Sequence, residues 1–306
     1  MSEKQWIRHC KLLIGGNGDG LDISGLRVVF KVQKTDTETP NSAEIRVYNL
    51  APDTAKKIKK EFQRVILQAG YISNYGVIFD GNIKQCVIGR ENGTDTFLDI
   101  YAGDGDDAYN FAVVNKTLKA GATPADQVDA CAGAMAEKGT SKGYTGGLQG
   151  GKALPRGKVM YGLARDYMRQ QAATTGTTWS VQDGKLQMIP RTELLPGQAV
   201  LLTSKTGLIG TPEQDEGGIR AECLLNPLLK IGGKVIIREA DIQEAKLPDT
   251  EGDTGANAPA KIAVDGVYRL LSVEHAGDTH GQEWYSRLVC LDVDETAPKD
   301  KAVKNG

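Results

Sequence analysis

Apolar and polar positions alternate through much of the chain, the period-two signature of strands buried on one face. In Leu26-Arg27-Val28-Val29-Phe30-Lys31-Val32-Gln33 the residues Leu26, Val28, Phe30 and Val32 share a side, and Ala43-Glu44-Ile45-Arg46-Val47-Tyr48 repeats the pattern. A helix over 53–62 follows, opened by Pro52 and Asp53. A missing N–H is harmless there, and a carboxylate meets the positive end of the helix dipole. Its buried stripe is Ala55, Ile58 and Phe62, and Lys56, Lys57, Lys59 and Lys60 form its solvated side. Val65-Ile66-Leu67, Val77 to Ile83 and Thr96 to Tyr101 complete an antiparallel meander. The last two runs turn at Asn92-Gly93, a pair that accepts positive φ.

The pattern changes after residue 103. Thr123-Pro124-Ala125-Asp126 carries a capping hydroxyl, a first-turn proline and an acid, with Val128, Cys131, Ala132 and Met135 at helical spacing behind it. Residues 139–151 read as a flexible loop from their glycine content. Met160, Leu163, Tyr167 and Met168 predict a second helix ending at Gly176, and Trp179 and Val181 pair with Leu186 and Met188 across Asp183-Gly184. From Ala199 the chain is strand-like again, interrupted over 246–260 by a stretch rich in Pro, Gly, Asp and Thr, and a long hairpin runs from Gly266 to Leu291. The polar tail after Asp294 is expected to fray.

The two β regions carry the same order of parts. Ile45-Arg46-Val47-Tyr48-Asn49-Leu50-Ala51-Pro52 aligns with Ala221-Glu222-Cys223-Leu224-Leu225-Asn226-Pro227, and Val65-Ile66-Leu67 with Val235-Ile236-Ile237. Gly76-Val77 and Gly266-Val267 each start a hairpin, closing on strands that hold Phe97 and Trp284. An internal duplication follows from that order. The fold class expected is mainly β with an α+β insert. Two tandem β-barrel or sandwich modules, 1–103 and 192–294, flank a middle domain of two helices and a hairpin at 104–191, and 295–306 form a flexible tail.

Composition narrows the function. With Lys+Arg 37 against Asp+Glu 39, the net charge of −2 offers no broad cationic surface for phosphates. Glycine is abundant, 37 of 306 residues, which suits many short strands and turns. The five cysteines are odd in number and never in C-x-x-C spacing, so neither a disulfide framework nor a zinc knuckle is expected. No secretory signal opens the chain and no apolar run is long enough to span a bilayer, so synthesis in the cytoplasm and no membrane segment are expected.

Catalytic motifs are absent: no G-x-S-x-G, no G-x-x-x-x-G-K-[ST], no H-E-x-x-H. His275 and His280, with Asp278 between them, are too few for a metal site, and His9 reads as packed. Asn17-Gly18-Asp19-Gly20-Leu21-Asp22 lacks the twelfth-position acid of a calcium loop, since Val28 stands there, and reads as a hairpin turn. No catalytic, cofactor-binding or metal-binding residue is assigned, and no cofactor is expected.

The runs Arg64 to Tyr71 and Gly76 to Ile83, the Gly176 to Gly184 hairpin, and the closing Gly266-Val267-Tyr268, His275-Ala276-Gly277-Asp278-Thr279 and Trp284 pattern resemble the baseplate hub proteins of tailed phages and related contractile injection systems. That resemblance implies tail-tube-like modules, a homotrimer whose six modules adapt a hexameric tail tube to a trimeric spike, other baseplate proteins as neighbours, and residence in the virion tail. It implies a non-enzymatic role, with DNA passing through a channel without specific binding. The acid-rich turns Asp104-Gly105-Asp106-Asp107 and Glu213-Gln214-Asp215-Glu216 are candidates for that channel wall. The surfaces expected to meet neighbours are the helix at 53–62, the loop at 246–260 and the tail. The alternatives are a tail-associated cell-wall hydrolase and a carbohydrate-binding tail-tip protein in which Tyr144, Trp179 and Trp284 stack on sugars.

Overall fold

A computed structural model describes residues 7–16, 20–149, 151–215, 218–238, 243–244 and 266–292. The first region holds β1 (Arg8–Gly15), β2 (Gly20–Asp22), β3 (Val28–Thr35), β4 (Ser42–Tyr48), α1 (Pro52–Glu61), β5 (Arg64–Tyr71), β6 (Asn74–Arg90) and β7 (Thr96–Gly103). The middle holds α2 (Asp106–Phe111), β8 (Val113–Leu118), α3 (Pro124–Ala136), β9 (Ser141–Thr145), β10 (Lys158–Leu163), α4 (Ala164–Thr175), β11 (Thr177–Gln182) and β12 (Lys185–Pro190). The last region holds β13 (Val200–Leu202), β14 (Leu208–Asp215), β15 (Gly218–Leu224), β16 (Lys234–Ile237), β17 (Gln243–Glu244), β18 (Val267–Asp278) and β19 (Trp284–Asp292).

Hydrogen-bonding order repeats. The first region pairs as β3-β4-β7-β6-β5-β1 and the last as β14-β15-β19-β18-β16-β13, a correspondence that holds to the residue across the inner strands, whereas β13 runs parallel to β16 where β1 runs antiparallel to β5. A bulge inserts Lys84 in β6 opposite β7, and the same irregularity inserts Leu271 in β18 opposite β19. Counting outward from that bulge through the registers places Ile45 with Ala221 and Val65 with Val235, as the sequence alignment does. Further along, the alignment slips. Val267 is the counterpart of Asp80, not Val77, and Trp284 of Thr96, not Phe97, because the hairpin strands start at unequal distances from the shared bulge.

Three apolar clusters result. The first gathers Leu12, Ile14, Val28, Phe30, Ile45, Ile58, Leu67, Phe79 and Ile100 between strands distant in the sheet, so the sheet folds back on itself. The last gathers Cys223, Val235, Tyr268, Leu270, Leu288 and Cys290 in the same manner, and the middle packs Val114, Val128, Met135, Met160, Met168 and Trp179. Of the five free cysteines, all but Cys10 are buried, and burial pushes the Cys10, Cys131 and Cys223 thiols up to about 12, so they act as small apolar groups. The capping box is as expected: the Thr123 hydroxyl accepts the Asp126 N–H, and the Asp126 carboxylate accepts the Thr123 N–H at 2.7 Å. The lysines of α1 are exposed.

Two sequence expectations fail in the middle region. The glycine-rich run is not a free loop, since Ser141–Thr145 pairs in parallel with β12. A Cβ on Gly143 would lie 2.8 Å from the Leu186 carbonyl oxygen, so here glycine permits close strand approach. The predicted second helix begins late, at Ala164, because Lys158–Leu163 forms six antiparallel pairs with β8. Met160 and Leu163 are therefore strand residues. A short helix, α2, also begins within the stretch read as an acidic turn.

Candidate functional site: the seam between the repeated sheets

The duplicated sheets join into one. Strand β3 lies at the edge of the first four-stranded run and pairs antiparallel with β18 of the second, over seven residue pairs from Ser272↔Thr35 to Asp278↔Val29. The result is a run of eight antiparallel strands, β14-β15-β19-β18-β3-β4-β7-β6. Side chains close the seam at its Asp278 end. Trp284 of β19 is fully buried in the first region's cluster, edge-on to Phe30 at a centroid distance of 5.4 Å, and its Nε1–H donates to the Gly70 carbonyl at 3.1 Å. Arg27 binds Asp278 through two hydrogen bonds, and Arg8 donates to the Gly281 carbonyl at 2.6 Å.

Strand alternation carries Val28, Phe30 and Val32 inward, and the next residue on that face is Lys34, only 2% exposed. A buried ammonium needs a partner. It finds Asp183 at the β11–β12 turn, whose other carboxylate oxygen takes Lys230 at 3.0 Å. Asp183 has φ 53 and Gly184 φ 74, the left-handed pair that a two-residue hairpin requires. Their N–H groups donate to Asp104 at 2.6 and 2.8 Å. Asn41 donates to the Val181 carbonyl and to Gln182, each at 2.9 Å. Nearby, Arg269 donates to buried Asp36 at 2.6 Å and to the Pro190 carbonyl at 2.7 Å, while Thr178 donates to Asp36 at 3.0 Å. The seam thus locks both sheets and the middle hairpin together through a charge cluster centred on buried Lys34, Asp104, Asp36 and Arg269.

Burial sets the ionisation of this cluster. It raises Asp104 to about 6, against the pull of Lys34 and the two turn N–H groups, and lowers His275, whose Nδ1 is 2.8 Å from the Ser286 hydroxyl, to about 3. Burial also opposes the charge of Asp183, but Lys34 and Lys230 outweigh it and hold that carboxyl near 2. In the unfolded chain an aspartate titrates near 3.9 and a histidine near 6.5. Asp104 therefore favours folding as pH falls from about 6 towards 4, and His275 opposes folding from about 6.5 towards 3. At about 1.4 kcal/mol per pH unit the two nearly offset each other. Urea midpoints of Asp104→Asn at pH 6.5 and 4.5 are expected to differ by about 2 kcal/mol more than those of the wild type, with the variant weaker in acid. A variant profile parallel to the wild type would refute the assignment.

The opposite face of the eight-strand run carries charges in mutual contact. Arg46 grips Asp99 at 2.6 and 2.8 Å in the first repeat, and at the matching positions of the second Arg287 binds Glu222 at 3.0 Å, the charges exchanged between strands. Arg287 and Lys31 also bind Glu274, each at 3.0 Å. Grooves of about 310 and 870 Å³ lie along this face.

Several sequence candidates move. Asp104 does not face a channel, because it is buried under the hairpin turn, while Asp106 pairs with Lys84 at 2.7 Å. Glu213 to Asp215 belong to strand β14 and not to a turn; Glu216 lies outside the described residues, as do the 246–260 loop, the tail and Asn17 to Asp19. Gly20–Asp22 pair with β1, in keeping with a hairpin there. Trp179 and Trp284 are core residues, so neither offers a face to a sugar. His275 bonds Ser286 in the core and His280 bonds Thr279 on the turn, while Asp278 is committed to Arg27. Among the described residues, no group of three or more His, Cys, Asp or Glu is placed to hold a metal, and no helix is long and apolar enough to cross a membrane. Lys34 and Asp183 were missed, although Lys34 falls on the inward side of the same alternation that exposes the core.

The class of fold is thus a duplicated, mainly antiparallel β structure with an α+β insert. Solved structures share it. A 43 kDa tail protein of prophage MuSo2 from Shewanella oneidensis superposes with a TM-score of 0.59 at 8% identity over 94% of this chain and 98% of that one. A tail protein from Neisseria meningitidis MC58 gives 0.57 at 9% identity, covering 94% and 97%. The c3393 protein of E. coli, described as a component of the type VI secretion system with structural similarity to T4 bacteriophage tail proteins gp27 and gp5, gives 0.59 at 9% identity, covering 96% and 80%. No protein-family model and no curated protein sequence matches the chain. At these identities the likeness is one of fold: this chain shares the fold of those two tail proteins and of the type VI secretion component.

Proposed function

We propose that this chain is a structural hub of a phage tail, a homotrimer whose six repeated modules form a pseudo-sixfold ring between a hexameric tail tube and a trimeric spike. The observation that carries the reading is the seam: two modules of equal strand order already join edge to edge within one chain. A ring closes if the same junction recurs between chains, so three chains supply six similar units. Residues 1–103 and 192–294 are the ring modules in this reading, and 104–191 decorate the ring. The tail proteins that share the fold support the same context. The chain acts without catalysis, and the face bearing Arg46, Asp99, Glu222, Glu274 and Arg287 lines the channel. Its cations are held by neighbouring carboxylates, which leaves little to grip passing DNA phosphates.

Sedimentation velocity on the purified chain, followed by negative-stain microscopy with tube and spike proteins, tests this. A ring of three chains that bridges the two is expected. A monomer at tens of micromolar that joins neither overturns the proposal, and clearing of cell-wall suspensions by the chain would overturn the non-enzymatic part.

A further inference from the structure

We infer that the outer edge of β8 takes an extended segment of another protein as a third strand, a segment in which large apolar and acidic residues alternate. That edge belongs to the two-stranded sheet of the middle region and not to the eight-strand run, so the docking does not depend on ring closure.

Backbone bonding shows which side of the ribbon is open. In an antiparallel pair, residues whose N–H and C=O groups turn to the partner strand alternate with residues whose groups turn away. On β10 the Tyr161 N–H donates to the Tyr167 hydroxyl at 3.0 Å, and the Tyr161 carbonyl accepts from that hydroxyl at 3.4 Å, so Tyr161 turns away from β8 and its own edge is closed. Tyr161 lies opposite Asn115, Val159 opposite Thr117 and Leu163 opposite Val113. Val113, Asn115 and Thr117 therefore turn their N–H and C=O groups outward from β8. No further strand pairs with them, and among the described residues no hydrogen bond reaches those groups. All three residues are exposed. A two-stranded ribbon is marginal alone, and an open edge of this kind is a template for another chain.

The two faces of the ribbon specify the segment. On the outward face Val113, Val159 and Tyr161 are 49%, 69% and 74% exposed, and Phe111, just ahead of the strand, is 62% exposed. Asn115, Thr117 and Leu163 complete that face without a charge, and a patch of this kind calls for apolar cover. On the other face Val114 and Leu118 are buried in the middle cluster, but Lys116 between them is exposed, and exposed Lys119 follows at the strand end. Neither lysine forms an ion pair among the described residues. Asp126, the acid of the capping box, is engaged by the Thr123 N–H and hydroxyl, whose hydrogen bonds lower its pKa more than the two lysines do. A strand laid along β8 presents its side chains alternately to these two faces, so its apolar residues meet Val113 while its acids meet Lys116. β10 stands about 10 Å behind the new strand, two spacings of about 4.8 Å, so large apolar side chains are needed to reach Val159 and the Tyr161 ring. A second copy of the same edge fits poorly, because antiparallel pairing about Asn115 makes the two Lys116 side chains diagonal neighbours.

Dye-labelled heptapeptides, followed by fluorescence anisotropy on the full chain, test the edge. A peptide alternating leucine and glutamate should bind saturably with Kd below about 100 μM, and one alternating leucine and lysine at least tenfold more weakly. Asn115→Pro removes an outward N–H and leaves the bonds to β10 in place, so it should abolish binding with an unchanged far-ultraviolet spectrum. Lys116→Glu should reverse the preference between the two peptides. If Asn115→Pro alters the spectrum, amide exchange on the wild-type chain decides: the leucine and glutamate peptide should protect Val113, Asn115 and Thr117, and the absence of that protection overturns the proposal. Binding that survives Asn115→Pro, equal binding of both peptides, or no saturation by about 1 mM overturns it as well. Self-association of the wild-type chain that Asn115→Pro abolishes would give the edge to a second copy and overturn docking of a foreign segment.

Discussion

Asp183→Asn is expected to destabilise the protein by about 3–5 kcal/mol at pH 7, the cost typical of removing one partner from a buried ion pair. The substitution keeps the shape of the side chain, and asparagine accepts the left-handed conformation that Asp183 adopts at φ 53, so the hairpin turn itself is not strained. What changes is charge. Lys34 and Lys230 both bond the Asp183 carboxylate, and Lys34 is only 2% exposed. Losing the anion leaves a buried ammonium without its hydrogen-bonded carboxylate. The contrast is Lys34→Met, which fills the same volume and leaves Asp183 paired with Lys230; that change should cost no more than about 1 kcal/mol, because an apolar replacement avoids the desolvation of the ammonium. Urea unfolding of both variants decides the matter, and equal effects would show that the cluster is not organised around Asp183.

Trp284→Ala should cost about 3–5 kcal/mol, as large-to-small changes of buried aromatics do. Its consequence reaches beyond the strand that carries it. Trp284 belongs to β19 of the second repeat, yet its ring sits in the apolar cluster of the first against Phe30 and bonds the Gly70 carbonyl. Removal should therefore lower the unfolding midpoint of both sheets together. Trp284→Phe keeps most of the packing and loses the hydrogen bond, for about 1–3 kcal/mol. Thermal unfolding followed by amide exchange separates the cases: protection lost only near β19, with the first sheet unaffected, would contradict the shared core.

Much of the strand architecture was legible from local chemistry. The hairpin that pairs Trp179 with Met188 and Val181 with Leu186, the Asn92-Gly93 connection and the box at Thr123 each follow from a few adjacent residues, because turn and cap geometry depend on backbone conformations that few side chains permit. The duplication was legible in order, and to the residue at Ile45–Ala221 and Val65–Val235, since strand lengths and turn positions survive where identities do not. The stretch at Ser141–Thr145 was not legible. Its glycines give no pattern of their own, and only the free edge of β12 makes it a strand. Met160 and Leu163 fit a helical stripe as well as a strand until β8 supplies hydrogen bonds.

Patterns along the chain suffice to show a mainly β architecture built twice over, with no recognisable catalytic motif and no excess of cationic residues for a nucleic-acid surface. Alternation, turn residues and net charge are local or additive properties and can be read in one dimension. Long-range contacts alone join the two halves into one continuous sheet and bring Lys34, Asp183 and Lys230 together at its seam. Those facts depend on hydrogen bonds and buried charges between residues some fifty to two hundred and fifty positions apart. No period or motif along the chain records which distant partner will satisfy them.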